Sequence, residues 1–76
     1  MTAHDVAAAI GRIGASYLPY QQIFIDDDVD GTMLVEWSVQ SDSDLLETLT
    51  VDLKIANKTH RTRVLRELKK LWAPSW

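Results

Sequence analysis

The longest apolar pattern in the chain lies near its C-terminal end, between residues 58 and 72. Its apolar residues recur at intervals of three and four, which places them on one side of a helix. These residues are Val64, Leu65, Leu68, Leu71 and Trp72. Asn57 and Thr59 are both suitable N-caps, and Pro74 follows the last apolar position, where it would stop a helix. The pattern predicts an amphipathic helix over residues 58–72.

A shorter apolar stripe near the start of the chain predicts a helix over residues 5–13. Its apolar positions are Val6, Ile10 and Ile13. Thr2 and Asp5 stand three residues apart, the spacing of a capping box at a helix start. We expect Gly14 to end this helix in a left-handed conformation.

The next helix is predicted between Tyr17 and Ile25. Proline lacks an N–H group and is tolerated only in the first helical turn. Pro19 therefore places the start of this helix near Leu18. The aspartates of residues 26–30 would oppose the dipole at a helix C-terminus, so the chain is expected to turn there.

The middle of the chain gives weaker patterns. Residues 32–37 form a short apolar segment, and residues 38–44 are polar and turn-rich, which is typical of a loop or an N-cap region. Helical spacing then returns at Leu45, Leu46, Leu49 and Leu53. Five helical segments without an alternating strand pattern predict one compact all-α domain over residues 4–72, with a long last helix and a short tail at 73–76. The fifteen residues expected to form its core are Val6, Ile10, Ile13, Tyr20, Ile23, Phe24, Val29, Leu34, Leu49, Leu53, Ile55, Val64, Leu65, Leu68 and Leu71.

Composition narrows the class of protein. A chain of 76 residues makes one small domain with a thin stability margin. It contains no cysteine, so disulfides and thiolate metal sites cannot support the core. No apolar run approaches the roughly 18 residues that span a bilayer, and the first residues do not resemble a signal peptide. We expect no membrane insertion and a location in the cytoplasm or the nucleus.

The net charge of −3 conceals a strong asymmetry along the chain. Residues 1–53 contain ten acidic residues and one basic residue, a net charge of −9. Residues 54–76 contain seven basic residues and one acidic residue, a net charge of +6. This division is consistent with an acidic pole and a basic pole in the folded domain, or with two halves that face each other inside it.

The aspartate-rich turn has some features of a calcium-binding EF-hand loop. Four residues fit the first half of that motif: Asp26, Asp28, Asp30 and Gly31. The twelfth position, where the loop needs a bidentate glutamate, is Trp37. Glu36 precedes it by one residue, which turns the carboxylate by about 100° around a helix. We therefore expect no metal site. A calcium-binding helix-loop-helix is kept as the less favoured alternative.

Catalytic motifs are not evident in the sequence. His4 and His60 lie in unrelated contexts, and neither a nucleophile elbow nor a phosphate-binding glycine loop is present. The prediction is a protein without catalytic residues, cofactor or small-molecule substrate. The basic face of the last helix resembles a phosphate-binding surface, but the acidic chain weakens electrostatic capture of nucleic acid.

The order of several short motifs resembles that of a SAM (sterile alpha motif) domain, a five-helix interaction module. The matching segments are Asp5-Val6, Ile13-Gly14, Val29-Asp30-Gly31, Leu53-Lys54-Ile55 and His60-Arg61. Two glycines of the family pattern are replaced, by Lys54 and Thr59. The segment between Gly31 and Leu53 is longer than usual, and the extra residues are assigned to a loop at 38–44.

The resemblance implies a protein partner, either a second copy of the chain or another SAM domain. SAM domains often associate head to tail, with a mid-loop surface against an end-helix surface at the start of helix 5. Here the mid-loop surface would be acidic, with Asp27, Asp28, Asp30, Glu36, Asp42 and Asp44. The end-helix surface would be basic, with Lys54, Lys58, His60, Arg61 and Arg63. An RNA-hairpin-binding SAM domain that uses basic helix 5 is the other reading of the resemblance.

Overall fold

A computed structural model describes residues 1–72, and the predictions for Pro74 and for the tail at 73–76 lie outside these residues. Five α-helices and one short 3₁₀ turn account for the regular structure of residues 1–72. The helices are α1 (Ala3–Gly11), α2 (Leu18–Asp26), α3 (Gly31–Trp37), α4 (Asp42–Val51) and α5 (Lys58–Trp72), and the 3₁₀ turn is Ala15–Tyr17. The predicted all-α, five-helix class is confirmed. Among these residues, none of the helices is long and apolar enough to cross a membrane.

The start of α1 has the predicted capping box. The Thr2 backbone N–H donates to Asp5 Oδ2 at 2.9 Å, and the Asp5 backbone N–H donates to Thr2 Oγ1 at 3.2 Å. The hydrogen bonds from Thr2 to the Asp5 carboxylate hold the pKa of Asp5 below its ordinary value. Because Thr2 is the N-cap, the helix begins at Ala3, two residues earlier than predicted.

The predicted end of α1 is wrong. The helix ends at Gly11, and Gly14 has φ 167° and ψ 169°, an extended conformation rather than a left-handed one. Close packing explains the glycine at position 11, because a Cβ atom there would lie 2.2 Å from Gln21 Nε2. That amide donates to the Ala7 carbonyl at 2.9 Å. Gly11 therefore leaves room for the Gln21 amide, which joins α2 to the Ala7 carbonyl of α1.

The turn between α2 and α3 follows the predicted course. Pro19 lies in the first turn of α2, and the helix ends at Asp26. Asp28 has φ 55°, a left-handed conformation that aspartate tolerates better than most residues. Asp30 then caps α3, since its Oδ1 accepts the Met33 backbone N–H at 3.0 Å.

The loop predicted at 38–44 is too long. Ser41 is the N-cap of α4, and its Oγ accepts the Asp44 backbone N–H at 3.2 Å. The helix therefore begins at Asp42. The β-branched threonines do not interrupt it, and the hydroxyls of Thr48 and Thr50 donate to carbonyls one turn earlier.

Helix α5 has the predicted bounds and organises the core. Asn57 is its N-cap, since Asn57 Oδ1 accepts the His60 backbone N–H at 3.1 Å. Its buried residues Val64, Leu65 and Leu68 belong to the hydrophobic core, and α5 contacts α1, α3 and α4. Burial of this stripe stabilises α5 together with the helices that it contacts.

The predicted core agrees well with the observed one. Eleven of the fifteen residues that sequence periodicity places in the core are buried: Val6, Ile10, Phe24, Val29, Leu34, Leu49, Leu53, Ile55, Val64, Leu65 and Leu68. The other four, Ile13, Tyr20, Ile23 and Leu71, are half-buried against it. The predicted core omitted the buried side chains of Tyr17, Trp37 and Leu45, although Leu45 belongs to the apolar spacing of α4.

The turn between α4 and α5 holds a lysine in an unfavourable backbone conformation. Lys54 has φ 58°, and its neighbours Leu53 and Ile55 are fully buried. A non-glycine residue in the left-handed region is disfavoured by about 1–2 kcal/mol, because Cβ approaches the following carbonyl oxygen. The buried neighbours therefore hold Lys54 in a strained conformation.

We predict that Lys54→Gly raises the free energy of unfolding by about 0.5–1 kcal/mol. Relief of the left-handed strain exceeds the extra backbone entropy that glycine loses on folding. Urea denaturation measures the change. Lys54→Ala is the control, since it removes the same charge, keeps Cβ and should stay within about 0.5 kcal/mol of the parent chain. Equal stability of the glycine and alanine variants would contradict the prediction.

Candidate functional site

Two adjoining grooves cut the surface around α4. One has a volume of about 280 Å³ and is lined by Gln40, Asp44, Glu47, Thr48, Val51 and Asp52. The other has a volume of about 240 Å³ and is lined by Asp27, Val29, Met33, Trp37, Thr48, Asp52 and Leu53. We call these the α4 groove and the junction groove. They share Thr48 and Asp52 and therefore lie next to each other, and lysine and arginine are not among the lining residues.

The periodicity of α4 explains the carboxylates along the α4 groove. Leu45 and Leu49 are buried and fix the inner side of the helix. Asp44 and Glu47 then lie on the outer side, with Val51 one turn further on. The side chain of Val51 is 63% exposed, so the groove combines negative charge with accessible apolar surface.

The junction groove lies where α3 and the ends of α2 and α4 meet. Val29, Trp37 and Leu53 are buried and Met33 is half-buried, which gives the groove an apolar floor. Asp27 and Asp52 are exposed residues that follow the last residues of α2 and α4. An apolar floor with two carboxylates at its edge suits a ligand that is both apolar and positively charged.

The structure divides the six predicted acidic residues into different settings. Asp27 and Asp44 line the two grooves, Asp28 and Glu36 are exposed outside them, and Asp30 caps α3. Asp42 is an ion-pair partner of Lys69 in α5, with Oδ1 and Nζ separated by 2.8 Å.

Two further carboxylates, Glu47 and Asp52, line the grooves and were missed by the sequence analysis. A helical wheel of residues 42–51 identifies Glu47, because it lies opposite the leucine stripe. We define the acidic face as the four groove carboxylates Asp27, Asp44, Glu47 and Asp52.

The predicted basic residues gather around the N-terminus of α5. Lys54, Lys58 and Arg63 are exposed, and within residues 1–72 the structure shows no ion pair for any of them. The first backbone N–H groups of α5 also give this end a partial positive charge. Lys54 directly follows the groove residues Asp52 and Leu53 in the chain, so we define the basic end as Lys58 and Arg63 alone.

His60 packs inside the domain instead of projecting from the basic end. Its ring centroid lies 4.6 Å from that of Tyr17 and 5.5 Å from that of Tyr20. The Tyr20 hydroxyl and His60 Nδ1 are hydrogen-bonded at 2.5 Å. These contacts attach the first turn of α5 to α2 and to the 3₁₀ turn before it.

Arg61 also makes contacts within the domain. Its Nη1 donates to Thr50 Oγ1 at 2.8 Å and to the Ile55 carbonyl at 3.4 Å. The side chain is half-buried and ties the connection between α4 and α5 to the start of α5. Arg61 therefore has a structural role within the domain. A contact with a partner would be additional to that role.

The aspartates of the calcium-loop pattern have separate roles in the fold. Asp26 accepts a hydrogen bond from Gln22 Nε2 at 2.8 Å, and Asp30 is occupied as the cap of α3. Within residues 1–72, histidine, aspartate and glutamate side chains do not form a group of three or more suited to hold a metal ion.

Comparison with protein-family models, with curated proteins and with solved structures finds no significant match to this chain. The surface features that bear on its function are the acidic face and the basic end.

We predict that Tyr20→Phe lowers the free energy of unfolding by about 1 kcal/mol. The substitution keeps the aromatic ring and removes the hydroxyl that is hydrogen-bonded to His60. Guanidinium denaturation measures the loss. Tyr17→Phe is the matched control, because the contact of Tyr17 with His60 is made by its ring, and it should change stability by less than about 0.5 kcal/mol. An equal loss in both variants would rule out a specific contribution from the Tyr20–His60 hydrogen bond.

Proposed function

We propose that the chain is a SAM-like protein-interaction module and not an enzyme. It self-associates, or binds another SAM domain, head to tail through an acidic mid-loop surface and a basic end-helix surface. The observation that supports this proposal best is the separation of unpaired charge. The acidic face lines two grooves around α4, whereas the basic end surrounds the start of α5.

The acidic face favours a partner with a basic surface, and the basic end favours a partner with an acidic one. Asp42 and Lys69 neutralise each other within the domain, but none of the four carboxylates of the acidic face takes part in an ion pair within residues 1–72. A second copy of the chain carries both complementary surfaces. Complementary surfaces of this kind speed association and fix the register of a complex.

The geometry of such a contact determines the assembly. The acidic face and the basic end are different patches, so their contact is heterologous and leaves one free patch on each copy. Heterologous contacts produce open chains unless the rotation between copies closes a ring. The association should also weaken with salt, because the Debye length is about 8 Å at physiological ionic strength.

RNA binding through α5 has less support from the geometry. Two lysines of the last turn have acidic partners: Lys69 pairs with Asp42, and Lys70 lies 3.6 Å from Glu67. These pairs reduce the positive charge that α5 would offer to phosphates. The domain as a whole remains acidic. The proposal therefore takes protein as the partner of the basic end.

A mixing experiment with two charge-reversed variants tests the head-to-tail contact. Asp27→Lys/Asp52→Lys alters the acidic face, and both lysines would follow helix C-termini, where positive charge is favourable. Lys58→Glu/Arg63→Glu alters the basic end. We expect each variant alone to be monomeric and their mixture to associate, because the unaltered basic end of the first variant meets the unaltered acidic face of the second. Light scattering over a range of protein and salt concentrations measures the masses.

Circular dichroism provides the control that both variants remain folded. The unaltered chain should grow in mass with concentration and shrink with added salt. A chain that stays monomeric at every concentration would exclude self-association. Salt-sensitive binding to a hairpin RNA, lost in Lys58→Glu/Arg63→Glu, would then favour the RNA-binding alternative.

A further inference from the structure

The junction groove is small and has a mixed lining. Its volume is about 240 Å³. Drug-sized ligands occupy pockets of about 300–1,000 Å³. The space therefore suits one long side chain rather than a larger cofactor.

The residues that line the junction groove favour one chemical class of ligand. Val29, Trp37 and Leu53 offer an apolar floor, while Asp27 and Asp52 place two negative charges at the edge. An apolar group alone would leave both carboxylates without a partner, and a small anion would be repelled by them. An alkyl chain that ends in a cation satisfies both parts of the groove. Lysine has this structure, with an apolar stem and a charged end.

The carboxylates at the edge are free to receive such a group. Within residues 1–72, neither Asp27 nor Asp52 forms a side-chain hydrogen bond or an ion pair. Asp44 and Glu47 in the adjoining α4 groove add negative charge beside them. Charges of one sign in a cleft raise the local concentration of a cation.

Few residues on a second copy of the chain are placed to occupy the junction groove. Among the predicted end-helix residues, His60 and Arg61 are held by contacts inside the domain. Lys54 directly follows the groove residues Asp52 and Leu53 in the chain, so it belongs beside the groove of its own copy. Lys58 is exposed as the first residue of α5, whereas Arg63 lies more than a turn further along the helix. Lys58 therefore has the best position to enter a groove on another molecule.

We infer that the junction groove is a binding site for a lysine side chain, and that Lys58 of a second copy occupies it. The alkyl stem lies on the apolar floor and the ammonium group binds between Asp27 and Asp52. This inference rests on the proposed head-to-tail function and identifies the central contact within it.

A probe experiment tests the ligand chemistry of the groove. The protein is the Lys58→Met variant, whose own groove is intact. The two probes are Nα-acetyl-lysine amide and its Nε-acetylated, uncharged form. We expect the charged probe to shift NMR signals of Met33 and of the Trp37 indole, and the uncharged probe to shift them at least about fivefold less. Asp52→Asn in the same background should remove the difference, and equal effects of both probes would overturn the inference.

A double-mutant cycle tests the occupant. Lys58→Met and Asp52→Asn should each raise the dissociation constant of self-association about tenfold, and the double variant should raise it by about the same factor instead of about a hundredfold. Asp44→Asn is the control, because Asp44 lines only the α4 groove and its effect should combine independently with that of Lys58→Met. Independent effects of Asp52→Asn and Lys58→Met would overturn the assignment of Lys58.

The two experiments separate failure of the inference from failure of the proposed function. Self-association without coupling between Lys58 and Asp52 would leave the head-to-tail function in place and exclude this contact. A monomeric parent chain whose groove still prefers the charged probe would exclude Lys58 of a second copy as the occupant. It would at the same time support the groove as a lysine site for a different protein.

Discussion

Burial of one apolar stripe on α5 is the interaction that joins the helices of this domain. Val64, Leu65 and Leu68 are buried in the hydrophobic core, and α5 contacts α1, α3 and α4. Helices of seven to ten residues are marginal in water without tertiary contacts. The amphipathic pattern of α5 therefore determines more than its own conformation, because α1, α3 and α4 pack against this helix.

The same packing decides where the charges of the sequence lie. Because α5 turns its apolar side inward, Lys58 and Arg63 remain in contact with solvent. On α4, burial of the leucine stripe leaves the acidic residues on the outer side. The difference in net charge between the two parts of the sequence thus becomes a separation of charge on the folded surface. The Asp42–Lys69 ion pair joins the two signs of charge at one point.

The parts of the fold that follow from local rules could be predicted from the sequence. The bounds of α5, the Thr2 capping box and the place of Pro19 each depend on residues close in the chain. The role of Gly11 and the burial of Trp37 depend on contacts between helices, which periodicity does not reveal. For the candidate site, Asp27 and Asp44 could be proposed from charge alone. Asp52 could not, because its importance comes from the groove formed with α2 and α3.

The close contact of α1 with α2 has a consequence for the order of folding. These helices form the most extensive helix pair in the domain, and only a short connection with one 3₁₀ turn separates them in sequence. Contacts between neighbouring segments form quickly because little loop entropy is lost. We expect α1 and α2 to assemble early, whereas α3 and α4 become fixed only when α5 docks. The acidic face would then be among the last surfaces to form, and hydrogen exchange there would report local opening of the domain.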